Sequence, residues 1–338
     1  MIQRIEVNLH KNWQKELADV VTRPEELLSM LDLPPDAYQP DSEAKSLFNL
    51  RVPRPFIAKM AKGDTRDPLL LQVLPRRQEF QQHSQYSVDP LQEQDNNEPG
   101  LLHKYRSRVL LMFKTACAIN CRYCFRRHFP YQDNQLNKAA LADKLTYIGN
   151  HSEINEVILS GGDPLMAKDE ALAWFLDKLE QLPNIKRLRI HSRLPVTIPA
   201  RITEQLCQRF AQSPLQIVFV HHINHANEVD EVFSHACKKL TQAGVTQLNQ
   251  AVLLKEVNAN AAAQIALSER LFAAGILPYY LHQLDKVQGA AHFEVSDDEA
   301  RTIMTEVLSE LPGFLVPKLV REVGGERSKT PIDLHLEP

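Results

Sequence analysis

Apolar positions recur at roughly helical spacing in two stretches near the start of the chain, "NWQKELADVV" and "RPEELLSMLDL", and the pattern stops at Pro34 and Pro35. Helices are expected within residues 10–35, and a third, short one from Pro55 in "RPFIAKMAKGD". Residues 79–100, "EFQQHSQYSVDPLQEQDNNEPG", are crowded with Gln, Asp and Asn and read as an irregular connector. From about Lys104 the texture changes. "RVLLMFKT", "EVILSGGD", "RLRIHSR", "LQIVFVHH", "TQLNQAVLLK" and "LPYYLHQL" are short, mostly apolar runs that predict strands. "DEALAWFLDKLEQL", "TEQLCQRF", "EVDEVFSHACKKL" and "AAQIALSERLFAAG" predict helices between them. Strands buried on both faces and joined by helical crossovers imply a mostly parallel sheet. Six such units fit an α/β fold of the partial (β/α)6 barrel type better than an antiparallel sandwich.

The expected organisation is an N-terminal helical region and connector over residues 1–100, a partial barrel over 101–295 and a C-terminal segment over 296–338. That last segment opens with a helix, "SDDEARTIMTEVLSEL", with Ser296 as N-cap and Glu299 as its capping-box partner. A strand-like run, a glycine-containing turn and a short tail follow in "PKLVREVGGERSKTPIDLHLEP". Composition narrows the class: a formal charge of −3 with 24% charged residues fits neither a highly basic nucleic-acid binder nor a disordered acidic chain. No apolar run approaches the ~20 residues of a membrane span, and the first residues lack the apolar core of a secretion signal. Five unevenly spread cysteines argue against a secreted disulfide scaffold, so a reducing cytoplasmic setting is expected, without nucleic-acid or membrane partners.

Three of those cysteines, Cys117, Cys121 and Cys124, stand as C-x3-C-x2-C in "CAINCRYCFRRHF". A short loop can turn three thiolates at this spacing toward one soft metal centre, and iron suits them better than magnesium or calcium. On a [4Fe–4S] cluster, three ligands leave one iron open. The blander alternatives are apolar packing of free thiols, or structural zinc completed by His128. Cys207 and Cys237 sit in helical patterns and read as core. Gly161, Gly162, His191, His221, His222, His225, Gln250 and Asp285 all fall at or just beyond the C-terminal ends of predicted strands, the edge at which barrels carry their active sites. Alternation along a strand points His221 and His222 to opposite sides.

The cysteine spacing, followed by the glycine pair in "LSGGDPL", resembles the radical S-adenosylmethionine superfamily. "VLLMFKTACAINCRYCFRRHF", "ILSGGDPL", "HSRLPV", "VHHINHANEV", "LNQAVLLKEVN", "YYLHQLD" and "GGERSKTP" follow one another in an order similar to that of the lysine 2,3-aminomutase family, over residues 104–331. The resemblance implies a [4Fe–4S] cluster on the three cysteines, with S-adenosylmethionine chelating the open iron and yielding a 5′-deoxyadenosyl radical on one-electron reduction. It also implies pyridoxal 5′-phosphate held as an imine by Lys329, because a protonated amine cannot migrate between carbons by a low-energy radical route. By the same resemblance Arg126 pairs with the substrate carboxylate, and Asp285 and Glu322 recognise its distant ammonium. Gly161, Gly162, Asp163, Arg193, His222 and Gln250 contact cofactors, while Lys104 and Arg108 match cationic cofactor-binding positions before the first strand, Lys104 as a contact of the pyridoxal-phosphate anion.

Each of these residues has an ordinary use as well: Lys329 as a solvated turn lysine, Arg126 in a surface ion pair, either acid as a helix cap, the glycines in a strand-to-helix turn. Two departures from the family pattern stand out. Glu326, Arg327 and Ser328 replace a glycine-richer run, and Glu322 is one methylene longer than the usual aspartate. Asn260 stands where larger relatives carry a zinc-binding cysteine, so zinc-stabilised dimerisation does not transfer, although a homo-oligomer stays open. The implied activity is conversion of (S)-α-lysine to (R)-β-lysine, with free L-lysine and an external electron donor as partners and a link to elongation factor P modification and its ligase. The competing readings are an aminomutase for another amino acid and a non-catalytic iron–sulfur protein that binds translation factors.

Overall fold

Three short helices open the chain in the computed structural model: α1 (Trp13–Ala18), α2 (Pro24–Met30) and α3 (Arg54–Ile57). The structure describes residues 12–34, 38, 43–44, 49–94, 98–130, 134 and 136–336, so the ends of the first helical expectation, at residues 10, 11 and 35, lie outside the described residues. A nine-stranded sheet follows in sequence order: β1 (Leu101–Tyr105), β2 (Arg108–Lys114), β3 (Glu156–Gly161), β4 (Arg187–Ser192), β5 (Gln216–His222), β6 (Thr246–Val252), β7 (Leu277–His282), β8 (Lys318–Arg321) and β9 (Thr330–Pro331). Strands β2 to β8 are parallel to their neighbours, and β1 and β9 pair antiparallel at the two ends. Six helical crossovers join the parallel strands: α4 (Lys138–Asn150), α5 (Asp169–Leu179), α7 (Glu204–Ala211) after the single turn α6 (Leu194–Thr197), α8 (Glu231–Gln242), α9 (Ala261–Ala273) and α10 (Asp297–Glu310).

The six expected strands and the expected helices all form. Helix α4 went unnamed in the sequence although its signal is present: Leu141, Leu145 and Ile148 are buried at i, i+4 and i+7, and Asn137 accepts from the Ala140 N–H. The run at 318–321 joins β7 as a further parallel strand, so the sheet continues without a break across residues 295 and 296. Ser296 caps α10 by accepting from the Glu299 N–H at 3.2 Å, which is the first half of the expected capping box. No described helix is long and apolar enough to cross a membrane.

Burial along the strands sorts side chains into two sets. In β4, Leu188 and Ile190 are fully buried under the helices while Arg189 and His191 face the lumen, and in β3 Val157 and Leu159 oppose Ile158 and Ser160. Helix α5 covers the outer set with Leu172, Phe175, Leu176 and Leu179, each side chain contributing ~1.5–3 kcal/mol of burial. The lumen set is mixed in polarity, which is why these strands read as broken apolar runs rather than continuous ones.

The N-terminal helices share a core with the cysteine loop. Leu27, Leu31, Val52, Phe56 and Ile57 pack in one cluster with Ile119, and Cys121 lies against it. The connector adds a charged clamp, because the Glu79 carboxylate accepts from Arg122 Nε and Arg127 Nη2, both at 2.8 Å, with its side chain fully buried. Removing one partner of a buried ion pair leaves an uncompensated charge, here two of them. Glu79→Ala should therefore lower the free energy of unfolding by about 3–5 kcal/mol in denaturant titrations. A loss under about 1 kcal/mol, the range of a surface pair, would show that the clamp is not structural.

Candidate active site

The cysteine loop leaves β2 and meets the end of β3 at close range. Gly162 N–H donates to the Lys114 carbonyl at 2.8 Å and Asp163 N–H to that of Ala116 at 2.9 Å. A Cβ on Gly161 would lie 2.7 Å from the Lys114 oxygen, and one on Gly162 2.6 Å from that of Ala116, so only glycine allows this approach. Gly161 also has φ of +111°. Asp163 engages both carboxylate oxygens with the protein, accepting from Leu165 N–H and Ser192 Oγ on one side and from the N–H groups of Arg193 and Leu194 on the other. It ties β3 to β4, and a cofactor contact would have to share these bonds.

Cys117, Cys121 and Cys124 line one cavity of about 620 Å³ that fills the lumen. Burial pushes the Cys117 thiol well up and Cys124 to about 11, so these thiols ionise only against a compensating cation. Arg126 lies near both, and Arg193 lies against the third cysteine: its Nη1 is 2.7 Å from Cys121 Sγ and also donates to the Tyr123 hydroxyl, while Nη2 donates to Gln72 Oε1 and to Glu228 Oε2 at 3.1 Å. Its guanidinium, expected on a cofactor anion, lines the same cavity.

Arg126 faces the same cavity, held from behind. Its Nε donates to Glu93 Oε2 at 2.7 Å and its Nη2 to Glu93 Oε1, while Nη1 reaches Ser160 Oγ and the Gly161 carbonyl. The Nε edge is therefore taken by Glu93, and an incoming carboxylate must approach from the Nη side. Lys104 donates to the same Glu93 at 3.0 Å and does not reach the cavity wall. These two cations hold the Glu93 carboxyl below its usual range despite burial, which acts the other way. Glu93, from the polar connector, is a residue that sequence reasoning missed.

Farther along the lumen, Lys329 Nζ donates to Glu322 Oε2 at 2.5 Å and lies 5.8 Å from the Tyr280 ring centroid. Tyr105 Oη donates to Glu322 Oε1 at 3.5 Å. Asp285 stands on the same wall; burial, with the Glu322 charge adding to it, raises its carboxyl to about 7. Arg108 lines the cavity and stacks 3.9 Å over the Tyr105 ring, and Arg189, which was not anticipated, pairs with Glu156 nearby. Alternation in "RLRIHSR" carried the signal for Arg189, two residues before His191.

His222 and Gln250 both face the lumen, with the Gln250 amide 3.0 Å from His222 Nε2; burial pulls that imidazole down to about 3 and keeps it neutral. His221 points the opposite way, toward Gln247, as the alternation requires. Asn260, at the position discussed for zinc, caps α9 by accepting from the Ala263 N–H. Glu326 and Arg327 project into solvent at the tip of the β8–β9 turn.

These residues suit the groups that the sequence implies. The cavity holds buried polar atoms with no partner among the described residues, His191 Nε2, His282 Nε2 and Arg189 Nε among them, as a polar occupant requires. Among the described residues, no group of His, Cys, Asp and Glu is arranged to hold a single metal ion. A mononuclear zinc site would gather thiolates to ~4 Å of one another, whereas a cubane takes each on a different iron. His128, the proposed fourth zinc ligand, is exposed and lies 3.2 Å from the Gln288 carbonyl.

The sequence profile of the Radical SAM superfamily matches residues 111–263, which span the cysteine loop and five of the lumen strands. The chain is 60% identical over 329 residues to L-lysine 2,3-aminomutase of Escherichia coli, covering 96% of each. It is 54% identical to that of Haemophilus influenzae, covering 95% of each, and 31% identical to that of Clostridium subterminale, covering 95% of this chain and 77% of the other. With near-complete coverage at these identities, and with the cysteine loop, glycine pair and lumen residues around one cavity, the chain belongs to the lysine 2,3-aminomutase family of radical S-adenosylmethionine enzymes.

Proposed function

We propose that this enzyme interconverts L-lysine and (R)-β-lysine, moving the α-amino group to the adjacent carbon with the help of a [4Fe–4S] cluster, S-adenosylmethionine and pyridoxal phosphate. The observation that carries this reading is that Cys117, Cys121, Cys124, Arg126, Asp285, Glu322 and Lys329 line one cavity. When bound, these groups supply an organic radical that removes and returns a substrate hydrogen, and a delocalising ring that carries the migrating nitrogen. The chain's own residues bind and orient. Arg126, steadied by Glu93, takes the substrate carboxylate; Asp285 and Glu322 take the ε-ammonium at the other end and offset its desolvation. Two anchors of opposite sign fix the carbon between them relative to the cysteine loop. Leu110, Ile158, Val218 and Leu248 add apolar surface to the same lumen.

The charge of the distal anchors favours lysine over other amino acids. A relative 29% identical, glutamate 2,3-aminomutase of Clostridioides difficile, acts on an acid, but a glutamate side chain here would bring a third carboxylate beside Asp285 and Glu322. The reading extends to the cytoplasm as the compartment, to an external reductant, and to elongation factor P and its ligase as consumers of the product, on the resemblance described above.

Anaerobic incubation of the reconstituted protein with L-lysine, S-adenosylmethionine, pyridoxal phosphate and dithionite, followed by chiral chromatography, should yield (R)-β-lysine. Consumption of glutamate in preference to lysine, or no β-amino acid at all, would overturn the assignment. A pH dependence follows from Asp285. Below about 7 its carboxyl is protonated and cannot offset an ammonium, so kcat/KM for lysine should rise as the pH passes upward through that value. The Lys329 charge holds this carboxyl down, so loss of that charge on cofactor attachment moves the inflection higher. Asp285→Asn should abolish the inflection; a variant profile identical to the wild type would assign the titration elsewhere.

A further inference from the structure

Lys329 and Glu322 meet for a reason built into the hairpin. Strand β9 pairs with β8 so that Arg321 lies opposite Thr330 and Val320 opposite Pro331. The next position toward the turn sets residue 322 against residue 329, and directly opposed side chains of opposite charge attract. The Glu322 carboxylate is thereby committed to an ammonium of the protein's own, at 2.5 Å, on the wall that also carries Asp285. An amino acid entering with its own ammonium toward this wall would find Glu322 already in use and a second cation beside Asp285. We propose that the Lys329 ammonium occupies the substrate-ammonium subsite of the cofactor-free protein, so that Lys329 must be engaged by the cofactor before L-lysine can bind there.

The chemistry that would clear the subsite is balanced. Condensation of the Lys329 amine with an aldehyde forms one carbon–nitrogen double bond and expels one water; starting from the ammonium, one proton is also released, and no oxidation state changes. The proton and the donor N–H leave Glu322 together, and Glu322 is returned to a carboxylate without its cation. Asp285 loses the nearby positive charge at the same moment, so it too holds a cation, proton or ammonium, more tightly as the cofactor attaches. Binding order is thus set by one residue serving two roles. This inference rests on the reading of Asp285 and Glu322 as ammonium ligands and deepens it.

The test is equilibrium binding to the full-length, cofactor-free protein, by isothermal titration calorimetry with L-lysine and with L-norleucine, which lacks the ε-ammonium. Lys329→Met keeps length and removes charge, and it should bind L-lysine at least tenfold more tightly than the wild type, with norleucine binding both alike. The gain should vanish when Glu322→Gln is added. Equal lysine affinity in wild type and Lys329→Met, or an equal gain for norleucine, would overturn the proposal. Lys329→Ala makes the same comparison should the methionine variant not accumulate as folded protein. Turnover plays no part in these arms: an enzyme that makes β-lysine while Lys329→Met shows no gain sinks only the displacement, and a gain without β-lysine formation in the holoenzyme sinks only the assigned reaction.

Discussion

Buried thiols beside buried guanidinium groups, each held by a glutamate, are the constraint on which the rest of this structure depends. Cys117 and Cys124 sit where a thiolate is costly. Arginines surround them, and arginine brings a permanent charge with fixed donor geometry. Burying those cations would itself be prohibitive without partners. Glu79 holds Arg122 and Arg127, Glu93 holds Arg126, and Glu228 holds Arg193. The partners come from the connector and from just beyond β5, so the N-terminal region must fold onto the barrel for the cysteine loop to take its shape.

The same logic governs the substrate end. Arg126 is matched by Glu93 and Lys329 by Glu322, so the cavity of the cofactor-free protein is close to electroneutral before any ligand arrives. Neutralised pockets avoid the penalty of bare charges in a low-dielectric lumen. The two pairs differ in their fate. Glu93 is locked by two cations and by a loop in which Asp89 accepts from the N–H groups of Glu93 and Gln94, and it stays as a support. Glu322 has one cation, and chemistry at Lys329 can release it.

Much of this was legible in the sequence where the signal is local. Strand runs, helix periodicity and the C-x3-C-x2-C spacing are patterns within a few residues, the lumen positions of His222, Gln250 and Asp285 follow from strand ends and alternation, and Arg126 came from its place beside Cys124 in the family resemblance. The glycine pair was legible as a motif, while the steric reason for it, the backbone of residues 114–116 pressed against it, was not. Glu93, Glu79 and Glu228 were missed because their partners lie 33, 43 and 35 residues away, and a glutamate in a polar stretch looks the same whether it is solvated or inserted beside an arginine. β1 was missed for a related reason: a short edge run shows its strand character only once the neighbouring strand is in place.

The account turns on three thiolates leaving one iron open to a small molecule. Electron paramagnetic resonance of the anaerobically reconstituted, dithionite-reduced protein, recorded with and without S-adenosylmethionine, tests this most directly. The account predicts about four irons per chain and a [4Fe–4S]+ signal whose g-values change when S-adenosylmethionine is added. A full-strength cluster signal that S-adenosylmethionine leaves unchanged, or one that survives in Cys117→Ala, Cys121→Ala or Cys124→Ala, would contradict it.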